Sequence, residues 1–165
     1  MSSQRFSESH GIVPLVESAT GDYNAGFTAD SVDMSKYNHY TLIIIGDNAV
    51  AGNGVLTIYG GATDAATTAA ATFTYRYSSG IIGAASSDVL GTAATSAALT
   101  ITGTSLVSAI LVCELDAEDL NISGTQYRYV TPVLSAAGTA GYVAMVAILS
   151  EPRYLEAVMD TANPA

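Results

Sequence analysis

Short apolar segments rich in β-branched residues recur along the chain, each bounded by a cluster of Gly, Asn, Asp or Ser. The segment 72–77 shows the pattern most plainly, because Phe73, Tyr75 and Tyr77 alternate with Thr and Arg. An alternation of period two is typical of a strand with one exposed face. Comparable strand-like segments are 11–16, 40–45, 54–59, 98–102, 127–134 and 142–149. This succession predicts an all-β fold.

The predicted architecture is an antiparallel β-sandwich of jelly-roll-like type. Alternation alone does not distinguish a jelly-roll from an immunoglobulin-like strand order. Segment 105–115 is apolar enough for a buried helix, but its Val and Ile residues between turn signals favour a buried strand. Segments 36–45 and 54–59 predict a hairpin whose loop is longer than the tightest turns.

The 165 residues predict one folded domain preceded by an arm. Residues 1–10 are polar and predict a flexible N-terminal arm, whereas residues 11–165 contain no linker and predict a single β-sandwich domain. About 150 residues bury enough surface to form a core without disulfides or metals. Two nearly chargeless stretches, 62–71 and 83–97, are rich in Ala, Thr, Ser and Gly. They predict long loops or poor strands that pack against a neighbouring subunit or a larger surface.

The charge balance excludes two classes of partner. Five Lys and Arg residues oppose fifteen Asp and Glu residues, which gives a formal net charge of −10. Binding to nucleic acid requires Lys and Arg to neutralise phosphates, and anionic membranes attract basic surfaces, so we expect neither partner. The longest apolar runs, such as 142–149, are far shorter than the roughly 20 residues of a membrane span. The N-terminus lacks a signal-peptide pattern, and we expect a protein that is made in the cytoplasm.

The inventory of reactive side chains predicts that the chain is not an enzyme. The two histidines, His10 and His39, are far apart and form no metal-binding pattern, and no Gly-x-Ser-x-Gly motif is present. Cys113, the single cysteine, lies in an apolar run and is expected to be a small buried side chain. We therefore assign no catalytic, cofactor-binding or metal-binding residue, and we expect no cofactor.

One acidic cluster has the oxygen ligands that calcium prefers. Its members are Glu114, Asp116, Glu118, Asp119 and Asn121. The cluster lacks the glycine and the closing glutamate of an EF-hand, which favours a solvated acidic loop. Whether the loop 114–121 binds an ion stays open at the level of sequence.

The aromatic residues allow two interpretations. Alternation of Phe73, Tyr75 and Tyr77 is typical of the inner face of a sandwich or of an interface. Alternatively, tyrosines stack on sugars in a carbohydrate-binding module, and the candidates would be Tyr75, Tyr77, Tyr127 and Tyr129.

Several segments together carry a family resemblance. They are Val32–Tyr37 (VDMSKY), Leu115–Leu120 (LDAEDL), Tyr127–Val133 (YRYVTPV), Tyr142–Leu149 (YVAMVAIL) and Glu151–Tyr154 (EPRY). Over residues 32–60 and 106–154 the chain resembles small structural proteins of tailed-bacteriophage head gene clusters. The Ala/Thr-rich middle departs from the family pattern, which has a more polar segment there.

The resemblance implies a virion structural protein that acts as a capsid decoration, or cement, protein. Such a protein binds the major capsid protein on the outer capsid surface and stabilises the mature head shell, commonly as a homotrimer. A head–tail adaptor or tail structural protein shares nearly all of these features and is the first alternative. The carbohydrate-binding module is the second.

Overall fold

The computed structural model describes residues 6–17, 20–47, 52–78, 89–138 and 141–153. These residues form fourteen strands and four short helical turns. The strands are β1 (Gly11–Val16), β2 (Phe27–Thr28), β3 (Val32–Asp33), β4 (Tyr37–Gly46), β5 (Asn53–Gly61), β6 (Ala69–Ala70), β7 (Phe73–Tyr77), β8 (Ala94–Ser96), β9 (Leu99–Thr102), β10 (Ile110–Asp116), β11 (Asn121–Ile122), β12 (Thr125–Gln126), β13 (Tyr129–Leu134) and β14 (Val143–Pro152). The turns are α1 (Phe6–Ser9), α2 (Gly103–Leu106) and two 3-10 turns, Met34–Lys36 and Ala117–Leu120.

The first sheet has the strand order β1-β14-β4-β10-β7-β8, and every pair in it is antiparallel. Its centre is the long strand β4, which pairs with β14 on one side and β10 on the other. The register places Val146 and Val112 on either side of Ile43. This register determines which side chains share the outer face of the sheet.

The second sheet is built on β13 and β5, which pair antiparallel. Strands β2 and β3 pair with the other edge of β13, and β6 and β9 pair with the other edge of β5. Buried Tyr23 links two of these strands, because its hydroxyl donates to the Ile101 carbonyl (2.9 Å) and accepts from the Gly54 amide (3.0 Å). Strands β11 and β12 form a separate two-stranded hairpin.

The hydrophobic core contains the alternate, inward side chains of both sheets. In β4, Leu42 and Ile44 are fully buried while their neighbours Ile43 and Ile45 are not. The other fully buried large side chains include Leu56, Ile58, Phe73, Ile101, Leu111 and Met145. The all-β, antiparallel β-sandwich prediction is confirmed. No helix in the described parts of the chain is long and apolar enough to cross a membrane.

Two local predictions need correction. The predicted hairpin of 36–45 and 54–59 does not form, because β4 and β5 belong to different sheets and each pairs with strands distant in sequence. Segment 105–115 is not one element: its start completes α2, and the strand begins only at Ile110. The break between them includes Ser108, whose φ of 45° interrupts both helix and strand.

The predicted arm and the Ala/Thr-rich stretches are described only in part. Residues 1–5 and 83–88 lie outside the described residues, and 6–9 form the helical turn α1. Stretch 62–71 makes a turn and then β6, whereas 94–96 form β8 at the edge of the first sheet. The described parts of both stretches contain loops and short edge strands, and their packing against a neighbouring subunit or a larger surface stays a prediction.

Candidate interaction surface

The outer face of the first sheet carries an unusual row of apolar side chains. Ile43 at the centre of β4 points outward, since its neighbours Leu42 and Ile44 fill the core. Cross-strand pairing places Val146 and Val112 beside it. Pro14 on the edge strand β1 extends the row beyond Val146.

Two parallel rows enlarge this surface. Ile45 is flanked by Ala144 and Ile110. Ile148 pairs with Ile12 on the edge strand and, on its other side, with Thr41, which is polar. We call the whole set the apolar patch; its members are Ile12, Pro14, Ile43, Ile45, Ile110, Val112, Ala144, Val146 and Ile148.

The apolar patch is accessible to solvent. Ile12 and Ile45 are 47% and 41% exposed, Pro14 is exposed, and the remaining members are half-buried. None of the nine belongs to the side chains that pack with the hydrophobic core. Single exposed apolar residues are ordinary on protein surfaces, but contiguous patches mark contacts with other molecules.

Charged groups near the apolar patch lie at its border. His39 and Asp116 are cross-strand neighbours, and His39 Nδ1 lies 2.6 Å from Asp116 Oδ1. His39 Nε2 lies 3.6 Å from Glu114 Oε1. On the opposite side of β10, Arg76 pairs with Val112 in the register and donates to the Gly91 carbonyl (3.3 Å). These contacts keep the charged side chains at the border away from the apolar centre.

The predicted acidic cluster is divided among several elements. Glu114 and Asp116 lie on β10, Glu118 and Asp119 in the 117–120 turn, and Asn121 on β11. Asp119 Oδ2 accepts a hydrogen bond from the Asp116 amide (2.8 Å), which stabilises the start of this turn. Across the described residues, no group of three or more His, Cys, Asp or Glu side chains is arranged to hold a metal ion.

A charged groove of about 610 Å³ lies next to this border and shares Asp116 with it. Its lining includes three carboxylates and two guanidinium groups, from Asp116, Glu118, Glu151, Arg128 and Arg153. Arg128 pairs with Asp33 through Nε (2.9 Å) and Nη2, and its guanidinium lies 5.3 Å from the centre of the Tyr129 ring. Burial alone would raise the pKa of Asp33, but hydrogen bonds from Arg128 and Ser35 and the charge of Arg128 lower it overall.

The aromatic stripe belongs to the core. Phe73 is buried, and Tyr75 and Tyr77 pack against the core with edge-to-face ring pairs at 6.5 and 5.9 Å. Tyr127 instead packs over Gly60, and Tyr129 lies on β13 of the second sheet. The structure therefore confirms the inner-face interpretation and does not bring the four tyrosines into one sugar-binding platform.

The reactive side chains are separated. Cys113 is fully buried on the inner face of β10, where burial raises the pKa of its thiol. His10 stacks on Phe6 at a centroid distance of 4.1 Å, whereas His39 belongs to the border of the apolar patch. The predicted buried role of Cys113 is confirmed.

Sequence reasoning did not identify the apolar patch, although a signal was present. In a strand with one face exposed to water, apolar and polar residues alternate. Three segments are instead continuously apolar: 42–45, 109–113 and 142–149. Continuous apolar strands are typical of sheets that are covered on both faces. The described residues provide the core on one face only.

Comparisons with known proteins give no family. No family model and no curated protein match the chain. The solved structures that match include the SPBc2 prophage-derived protein YomS, with a TM-score of 0.48, 10% identity, and coverage of 85% of this chain and 91% of YomS. The infectious bursal disease virus VP2 subviral particle matches with a TM-score of 0.18 and 10% identity, and covers 92% of this chain and 43% of VP2. The chain thus spans less than half of VP2, and neither similarity carries an argument about function.

Proposed function

We propose that this chain is a bacteriophage virion structural protein that decorates the capsid. The observation that carries the proposal is the apolar patch, which lies on the face of a central sheet in a chain with a net charge of −10. A contiguous exposed apolar patch marks a contact with another protein. A chain whose main exposed feature is a contact surface fits an assembly role.

The resemblance of segments 32–60 and 106–154 to phage head proteins makes this role specific. In the proposed function the chain binds the major capsid protein on the outer surface of the head, as a homotrimer. The negative charge supports the outer surface, since the packaged DNA inside the shell would repel an acidic protein. As in the expectation from sequence, the proposal includes no enzymatic activity, cofactor, nucleic-acid contact or membrane contact.

Decoration would stabilise the shell through binding alone. A protein that binds only the mature lattice shifts the equilibrium toward that lattice by mass action. Three linked copies bind more tightly than one, because the second and third contacts are intramolecular. No covalent step is required of the chain.

The test is to add the purified protein to bare capsids assembled from the major capsid protein of the same gene cluster. We expect co-sedimentation with a saturating number of copies and a higher melting temperature of the capsid. A rise in capsid stability without saturation would indicate non-specific adsorption and would contradict decoration. Absence of co-sedimentation, with rings of six or twelve copies in electron micrographs, would support the head–tail adaptor alternative instead.

The carbohydrate-binding alternative has its own measurement. A panel of soluble glycans would raise the melting temperature of a sugar-binding module. We expect no shift, since Tyr75, Tyr77 and Tyr127 pack against the core and Tyr129 lies on β13 of the other sheet.

A further inference from the structure

We draw no further inference here: the strongest candidate, the charged groove between the 34–36 turn, the 117–120 turn and the end of β14, is lined by exposed side chains of both signs, and nothing in the structure shows which ligand or partner would bind there.

Discussion

The outer faces of the two sheets use similar β-branched residues but differ in character. On the first sheet the outward residues around Ile43 are Val, Ile, Ala and Pro, with Thr41 as the one polar neighbour along β4. On the second sheet, threonine and tyrosine hydroxyls accompany the outward valines at Thr57, Tyr59 and Thr131. Thr131 is fully buried, and its hydroxyl donates to the Ala66 carbonyl, so the chain itself covers part of this face.

The difference shows that one side-chain group, a hydroxyl in place of a methyl group, changes what a sheet face can contact. Threonine and valine have nearly the same shape, but a hydroxyl can hydrogen-bond to water or to a covering loop. A methyl group makes no hydrogen bond, so its exposure to water is unfavourable in free energy. Burial against another protein removes that unfavourable exposure. The two faces are therefore suited to different tasks, contact with water and loops on one side and contact with a protein on the other.

The largest expected effect contrasts the two faces of one strand. Leu42→Ala creates a cavity in the core and should lower the free energy of unfolding by about 2–5 kcal/mol. Ile43→Ala, one residue away on the apolar patch, should lower it by about 1 kcal/mol or less in dilute protein, because the side chain already contacts water. Urea titration measures both values. Equal losses would show that Ile43 is buried in the single chain and would remove the distinction between the faces.

The second contrast concerns buried tyrosine hydroxyls. Tyr23 makes two hydrogen bonds that join β5 and β9, so Tyr23→Phe should lower the free energy of unfolding by about 1–3 kcal/mol. The Tyr40 hydroxyl is buried without a hydrogen-bond partner in the described part of the chain. Tyr40→Phe should therefore be neutral or stabilising by up to about 2 kcal/mol. A clear loss of stability in Tyr40→Phe would reveal a bound water or another partner for that hydroxyl.

A smaller effect is expected at the ion pair between Asp33 and Arg128. Because the folded state lowers the pKa of Asp33, the carboxylate stabilises the protein at neutral pH, and this contribution is lost as the pH falls below about 4. Asp33→Asn retains an acceptor for the Ser35 amide but removes the charge. The stability difference between wild type and variant should be greatest near neutral pH and should disappear toward pH 2. A difference that is constant with pH would assign the role of Asp33 to the hydrogen bond rather than to its charge.

The smallest expected effect is a lack of reactivity. Cys113 lies on the inner face opposite the apolar patch, and burial raises the pKa of its thiol. Thiol reagents should label it slowly in the native protein and at once in urea. Rapid labelling under native conditions would show that the first sheet opens, and the contrast between its inner and outer faces would then be weaker than the structure indicates.

Much of the fold was predictable, because the pattern of residues within a segment indicates that the segment forms a strand. Segment 11–16 coincides with β1, and segments 40–45 and 54–59 lie within β4 and β5. The aromatic alternation at 73–77 predicted an inner face, and the structure confirms it. The hairpin between β4 and β5 was wrong, because adjacency in sequence favours pairing but the longer registers of β4 with β14 and β10 prevail.

The candidate surface was less predictable than the strands that form it. The continuous apolar segments indicated that both faces of some strands avoid water, but not that these strands lie side by side. The acidic cluster looked like one loop, yet Glu114 and Asp116 face His39 from a neighbouring strand.

The sequence by itself determined the all-β class, the positions of the main strands and the excess of negative charge, since these follow from composition and from periods of two residues. Only the tertiary structure decided that four apolar strands meet in one sheet and that their outward residues form rows. The physical reason is that strand pairing joins residues far apart in the chain, as with His39 and Asp116, which are separated by 77 positions. Local patterns specify which face of a strand is apolar, whereas hydrogen-bonded register determines what lies next to it.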